Sequence, residues 1–163
     1  MSTGLAYSDE TDQPKSLDGT APMVDSSNAQ LVMVLEDEVS MAFPMIVDGL
    51  REVIRRDASP DWNEYDVYHE LKLKSAQLFI GYADGEYQGF MVMTEGHDQM
   101  FIWIIYTTPN KLDMFDDHME TVCNYARGED KKYLKFGTTR KGWLKVAPKY
   151  GFELDEYRFR RTL

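Results

Sequence analysis

Lysines at every fourth position near the end of the chain form the pattern with the clearest chemical use. Lys141, Lys145 and Lys149 recur at this spacing around Trp143, and four further cations precede or join them: Lys131, Lys132, Lys135 and Arg140. Such a stripe can bind phosphate groups or an acidic protein surface, and a solvated basic face is the alternative interpretation. The pattern therefore indicates a basic face whose partner the spacing does not specify.

Two histidines lie among carboxylates and are candidates for metal sites. One set is His97 with Glu95 and Asp98, and the other is His118 with the acidic residues Asp116, Asp117 and Glu120. Neither set has the spacing of a known ligand motif. The second falls near the start of a predicted helix, where the helix dipole favours negative charge. We therefore expect a solvated acidic face and no metal site.

The single cysteine predicts a packing role. Cys123 cannot form an internal disulfide, and it lies among Met119, Val122 and Ala126 on a predicted helix. The sequence contains no Ser/His/Asp order, Walker loop or cysteine-pair motif that would indicate another chemistry. We expect Cys123 to act as a small apolar residue.

Charge is distributed unevenly along the 163 residues. The net charge is −10, yet residues 131–163 hold ten Lys or Arg and three Asp or Glu, so this part is +7 and the rest is −17. The negative total argues against general affinity for nucleic acid, whereas the asymmetry can orient the molecule on a charged partner. No apolar run is long enough to span a membrane and no secretory signal is visible, which predicts a soluble intracellular protein.

The first 29 residues are acidic and polar, with Ser, Thr, Asp, Gly and Pro predominating. This composition buries too little apolar surface to offset the entropy of ordering, so we expect an extended tail that orders against a protein partner or a large assembly. Residues 30–163 have enough apolar content for one domain. The predicted organisation is thus a tail at 1–29 and a domain at 30–163.

The domain shows a clear order of elements. Asp84-Gly85 accepts the positive φ angles of a tight turn and predicts a hairpin. The predicted order is a strand at 31–35, helices at 39–56 and 63–74, strands at 77–83, 86–94 and 100–107, a helix at 112–126 and a strand at 133–137. A short helix capped by Thr139 and ended by Pro148 follows, with one or two strands over 152–159. The strand at 100–107 is apolar and aromatic, as in a strand covered on both faces.

This order, ending in Lys149-Tyr150-Gly151-Phe152, resembles the GNAT acyltransferase superfamily over residues 31–163. The resemblance implies an α/β (α+β) fold with a central mixed β-sheet flanked by helices. Members use glycines after the central strand to hold the coenzyme A pyrophosphate at a helix N-terminus. Here residues 107–113 read Thr-Thr-Pro-Asn-Lys-Leu-Asp and contain no glycine. Pro109 removes a donor, Asp113 adds a carboxylate, and Lys111 supplies a cation.

The resemblance also implies positions for an acid and a base. The family's acid is a tyrosine about four residues before the final Gly-Phe, and that position is Ala147 here; Tyr150 lies next to the glycine, so its hydroxyl is expected to point elsewhere. The strand at 100–107 contains no base, and the loop at 95–98 could act only by folding over the site. We therefore assign no catalytic residue.

Two hypotheses follow from this resemblance. The favoured one is a noncatalytic structural or interaction protein, similar to small GNAT-like proteins of tailed bacteriophages including internal virion proteins, which docks through its tail in a virion or in the host cytoplasm. No cofactor is expected in that case. The alternative is an active acetyl-CoA-dependent N-acyltransferase, whose cofactor-binding residues would be Ile104, Ile105, Tyr106, Lys111, Arg140 and Trp143.

Overall fold

A five-stranded mixed sheet with helices on both faces forms the centre of the molecule, in a computed structural model that describes residues 28–57, 61–109 and 114–163. In spatial order the strands are β1 (Ala29–Val34), β2 (Ala76–Ala83), β3 (Glu86–Glu95), β4 (Gln99–Thr107) and β5 (Tyr133–Phe136). Neighbours are antiparallel except for β4 and β5, which are parallel. The predicted fold class is confirmed.

The helices are α1 (Val39–Arg56), α2 (Glu64–Lys72), α3 (Met114–Gly128) and α4 (Trp143–Val146), with 3₁₀ turns at Glu36–Glu38 and Ala147–Tyr150. The α2 helix begins in a capping box, in which Asn63 Oδ1 accepts from the Tyr65 amide at 2.8 Å and Asp66 accepts from the Asn63 amide at 2.8 Å. None of the helices within the described ranges is long and apolar enough to cross a membrane. Residues 1–27 of the predicted tail, the break at Ser59-Pro60 and the loop residues 110–113 lie outside the described residues, whereas Ala29 already belongs to β1.

The hairpin prediction is confirmed at the β2–β3 turn. Asp84 and Gly85 have φ angles of 53° and 80°, and Ala83 pairs with Glu86 across the turn. Both central residues have the positive φ angles that a tight hairpin turn requires. This turn fixes the register of β2 against β3, and the register determines which apolar side chains lie on each face of the sheet.

Each face of the sheet has its own apolar core. Leu50 of α1 and Ile104 of β4 belong to the core beneath α1 and α2, whereas Ile102 of β4 and Phe115 of α3 belong to the core beneath α3. Burial of each such side chain contributes about 1.5–3 kcal/mol. Strand β4 is therefore covered on both faces, as predicted, and the predicted core methionines Met91, Met93 and Met100 are buried.

Two β-bulges interrupt the ladders on either side of β3. Gly81 opposes Gly89 while Tyr82 opposes Tyr87, so Gln88 is an extra residue in β3. Val92 opposes Ile104 while Met93 opposes Ile102, so Trp103 is an extra residue in β4. A bulge bends its strand and changes the direction of the side chains that follow. The second bulge lies where β4 loses its pairing with β5.

The predicted strands at the C-terminus are wrong, because residues 152–163 form neither strand nor helix. A strand requires a period of two, and Phe152, Leu154, Tyr157 and Phe159 break that period between 154 and 157. Leu154, Tyr157 and Phe159 are exposed. The short helix also differs from its prediction, since α4 begins after Gly142 without a Thr139 cap, and Val146 is exposed rather than facing inward.

Candidate functional site

A cleft opens where the parallel pair β4–β5 ends. The ladder runs from Gln99↔Tyr133 to Ile102↔Phe136, and β4 then continues to Thr107 paired, within the described residues, with β3 alone. Beyond Phe136 the chain leaves the sheet through residues 137–140. The cleft between these segments has a volume of about 160 Å³. Backbone groups of β4 on this side can therefore be reached by a ligand.

The cleft is lined from both faces of the sheet. On the α1–α2 side the lining residues are Val53, Arg56, Asp57, Trp62, Trp103 and Ile104, and on the α3–α4 side they are Ile102, Ile105, Phe115, Phe136 and Trp143. Gly137, Thr138, Thr139 and Arg140 line it from the segment that follows β5. A ligand bound on the α1–α2 side can thus contact a ligand bound on the α3–α4 side across the edge of β4.

Four of the six residues predicted for the cofactor line this cleft, namely Ile104, Ile105, Arg140 and Trp143. Ile104 is buried, whereas Ile105 and Trp143 are half-buried and Arg140 is exposed. Lys111 lies outside the described residues. The structure shows that these four residues line the same cleft, and their role as cofactor contacts stays a prediction.

Tyr106 lies apart from the cleft and packs beneath α1. Its ring stacks on Phe90 with the centroids 5.6 Å apart, and a Cβ on Gly49 of α1 would come within 2.7 Å of both rings. Close packing of the helix against the sheet at Gly49 therefore fixes the side chain of Tyr106. Its carbonyl oxygen faces β3, since a Cβ on Gly89 would lie 2.0 Å from it, so neither its ring nor this oxygen lies at the open edge of β4.

Phe115 lies at the centre of an aromatic cluster behind the cleft. Its ring contacts those of Trp143 at 4.7 Å, Tyr150 at 5.2 Å, Phe136 at 5.6 Å and Phe152 at 6.1 Å between centroids. These contacts hold α4 and the turn after it against α3. The cluster sets the width of the cleft, since Trp143 and Phe136 both belong to its lining.

The hydroxyl of Tyr150 donates a hydrogen bond to Asp116 Oδ1 on α3. Asp116 is exposed and does not line the cleft. The Tyr150 hydroxyl is thus held at α3, and the expectation that it does not act as the acid stays a prediction. Asp57 is the one carboxylate among the described lining residues, and it stands at the C-terminal end of α1.

A buried polar chain links the β3 bulge to α3. The amide of Gln88 donates to Asp117 Oδ2 at 2.6 Å, and its Oε1 accepts from His118 Nε2 at 2.8 Å. Thr108 donates both its amide and its hydroxyl to the Gln88 carbonyl oxygen, at 2.8 and 3.0 Å. This chain fixes the start of α3 relative to the end of β4, as does the bond from the Met114 amide to Thr107 Oγ1.

We predict that stability falls as the pH drops below about 6.5, where an exposed histidine takes up its proton. Burial lowers the pKa of His118 in the folded state, and Asp117 opposes this only in part. Below about 6.5 the unfolded chain binds a proton that the folded chain does not, so the free energy of unfolding falls by up to about 1.4 kcal/mol per pH unit until the folded pKa is reached. Urea unfolding at pH 7.5 and 5.5 measures this loss. His118→Gln should reduce it, and an unchanged loss would contradict the assignment.

The other candidate groups of the sequence lie away from the cleft. Lys131 binds Glu95 at 2.7 Å and the Gly96 carbonyl at 3.0 Å, which ties the 95–98 loop to the beginning of β5, at the other end of β4 from the cleft. Lys141, Lys145 and Lys149 are exposed. Across the described ranges, no three His, Cys, Asp or Glu side chains are grouped to hold a metal ion.

Cys123 packs at the edge of the α3 core, as the sequence indicated, and burial raises the pKa of its thiol. The sequence patterns predict no site role for several lining residues, among them Arg56, Asp57, Trp62 and Trp103. One signal was present, because the chain has three tryptophans and they are among the residue types most enriched in binding sites. The fold brings these lining residues together in one cleft, and their spacing along the sequence does not predict it.

No protein-family model and no curated protein matches the chain. Solved structures do match. An aminoglycoside acetyltransferase from an uncultured soil metagenomic sample, in complex with sisomicin, is 10% identical with a TM-score of 0.61, over 84% of this chain and 97% of that one. A probable acetyltransferase is 18% identical with a TM-score of 0.60, over 82% and 96%.

A ribosomal-protein-alanine N-acetyltransferase from Brucella melitensis biovar Abortus 2308 is 12% identical with a TM-score of 0.61, over 83% of this chain and 99% of that one. At these identities the similarity establishes architecture and carries no activity with it. The neighbours are nevertheless matched over nearly their whole length, and they are GNAT-family acetyltransferases. The chain therefore has the GNAT acetyltransferase fold.

Proposed function

We propose that the chain is a coenzyme A-dependent N-acyltransferase that uses the cleft between β4 and β5. The observation that carries this proposal is the open edge of β4, where pairing with β5 stops at Ile102 and a cleft lined from both sheet faces begins. An edge with free backbone donors and acceptors can bind an extended amide chain as a further strand. The pantetheine arm of coenzyme A is such a chain.

The residues present fit this arm. The backbone of Ile105 would hold an amide of the arm, because backbone groups alternate in direction along a strand and the Tyr106 oxygen faces β3. The side chains of Ile105 and Trp143 would cover its apolar part from the α3–α4 side. Arg140 is exposed beside the cleft and would pair with a phosphate of the cofactor. Coenzyme A supplies the acyl group as an activated thioester.

The acceptor amine would enter from the α1–α2 side. Asp57 lines the cleft on this side and would act as the proton acceptor, because an ammonium group must lose a proton before it attacks a thioester and a carboxylate can take it. The neighbouring Thr138 and Thr139 supply hydroxyl groups to the cleft. We assign no side chain as the acid that would protonate the leaving thiolate.

Isothermal titration with acetyl-CoA tests the proposal, and we expect saturable binding at micromolar concentration. Arg140→Glu should weaken binding by about tenfold, because it replaces a phosphate partner by a like charge. Lys145→Glu is the matched control, since it makes the same charge change at an exposed position of α4 outside the cleft and should change the affinity less than twofold. Equal effects of the two variants would contradict the placement of Arg140.

A noncatalytic interaction protein is the second candidate, and the position of Tyr150 favours it. Its hydroxyl is bound to Asp116, and the position at which the family carries its acid is Ala147. In this case the cleft would be a remnant, and binding would depend on a partner of residues 1–29, within a virion or elsewhere. Absence of acetyl-CoA binding at millimolar concentration would favour this candidate over the acyltransferase.

A further inference from the structure

All three tryptophans of the chain line the same cleft. They come from three separate parts of the fold: Trp62 precedes α2, Trp103 is the extra residue of the β4 bulge, and Trp143 begins α4. Each is half-buried rather than buried. Tryptophan is rarely fully buried even in a core, so it is the place of these rings in the lining that shows a surface turned to the cleft.

Two of these rings make a wall on the α1–α2 side. Trp62 and Trp103 pack edge to face with centroids 5.6 Å apart and an interplanar angle of 67°. Aromatic rings prefer this arrangement, and a third ring placed beside them gains the same kind of contact. Trp143 lies across the sheet edge, where its ring is fixed by Phe115 and Phe136.

We propose that the acyl acceptor is an amine carried on a single aromatic ring, which inserts against Trp62 and Trp103. This inference rests on the proposed acyltransferase function and adds the class of its acceptor. The cleft as a whole has a free volume of about 160 Å³, close to the ~150 Å³ in which an engineered apolar cavity binds benzene, so in the absence of coenzyme A it has room for one six-membered ring.

Charges at the rim orient such a ligand. Asp57 lines the cleft together with the two tryptophans, and its negative charge attracts an ammonium group. An amine one or two carbons from the ring would therefore point towards Asp57 while the ring occupies the apolar part.

Titration with 2-phenylethylamine and 2-cyclohexylethylamine, each without coenzyme A, tests the inference. The two amines have the same chain and charge, and only the first has an aromatic ring. We expect the aromatic amine to bind about fivefold more tightly. Equal affinities would overturn the aromatic specificity, and no binding of either amine would overturn the site.

Variants of the wall sharpen the comparison. Trp62→Leu should abolish the preference for the aromatic amine, whereas Trp62→Phe keeps a ring and should preserve it. Tyr65→Leu is the control, because it removes an exposed ring of α2 outside the cleft. If Trp62→Leu fails to fold, Trp62→Phe and the two amines still decide the question.

The acetyl-CoA titration separates the two levels of the proposal. Binding of acetyl-CoA without binding of the aromatic amine would overturn this inference and leave the acyltransferase standing. If the amine binds but acetyl-CoA does not, the result would support the ring site and overturn its role as an acceptor site.

Discussion

Replacing Gly89 by alanine is expected to destabilise the protein by about 3 kcal/mol or more. A Cβ at this position would lie 2.0 Å from the carbonyl oxygen of Tyr106 and 3.0 Å from Cα of Thr107, both of them backbone atoms of β4. Backbone cannot rotate away as a side chain can, so β3 and β4 must separate at this pair. Overpacking costs typically about 1–3 kcal/mol, and an overlap with backbone falls at or above the top of that range.

Chemical denaturation measures this loss, with Gly128→Ala as the control. Gly128 ends α3, and a Cβ there meets no atom within 4 Å. Alanine favours helix over glycine by up to about 1 kcal/mol, so the control should be neutral or slightly stabilising. A Gly89→Ala protein as stable as the control would show that β3 and β4 are not packed as described.

Phe115→Ala is expected to cost about 3–5 kcal/mol, the range for removal of a buried aromatic ring. Its side chain is 1% exposed and contacts the rings of Phe136, Trp143, Tyr150 and Phe152, so its loss leaves a cavity that α4 cannot fill without moving. Because Trp143 and Phe136 line the cleft, the variant should also lose ligand affinity at temperatures where it remains folded. Thermal unfolding followed by circular dichroism measures the loss of stability.

Phe159→Ala is the matched control for that deletion. The same ring is removed at a side chain that is 94% exposed in the C-terminal segment, and we expect a change within about 0.5 kcal/mol. A large loss in the control would mean that residues 152–163 bury their aromatic side chains in solution, for example against a second copy of the chain. Equal stability of Phe115→Ala and the native protein would contradict the aromatic cluster.

The elements that local patterns govern agreed closely with the structure. The α1 helix has the predicted bounds, because its apolar stripe repeats at helical spacing and it ends in two arginines. The hairpin followed from Asp84-Gly85 alone. Strand β4 was recognisable as central because both of its faces are apolar. In each case the residues that determine the element lie within the element itself.

The features that build the cleft depend on pairing between distant segments, which local patterns do not contain. The bulges at Gln88 and Trp103 arise from the register of β3 against its neighbours. Tyr106 was assigned to the cofactor site from its place in β4, and the bulge at Trp103 together with Gly49 places its ring beneath α1 instead. The aromatic residues at 152–159 form no strand, because their apolar period is broken between Leu154 and Tyr157 and no neighbouring strand pairs with them in the described part of the chain.

The convergence of the tryptophans has a practical consequence for spectroscopy. Since every indole of the protein borders one cleft, its intrinsic fluorescence on excitation near 295 nm reports on that region rather than on the molecule as an average. An emission shift during titration would locate the ligand without a label. During unfolding, the same signal would follow the opening of the β4–β5 edge, while circular dichroism follows the sheet and helices; a difference between the two midpoints would reveal that the cleft opens before the fold is lost.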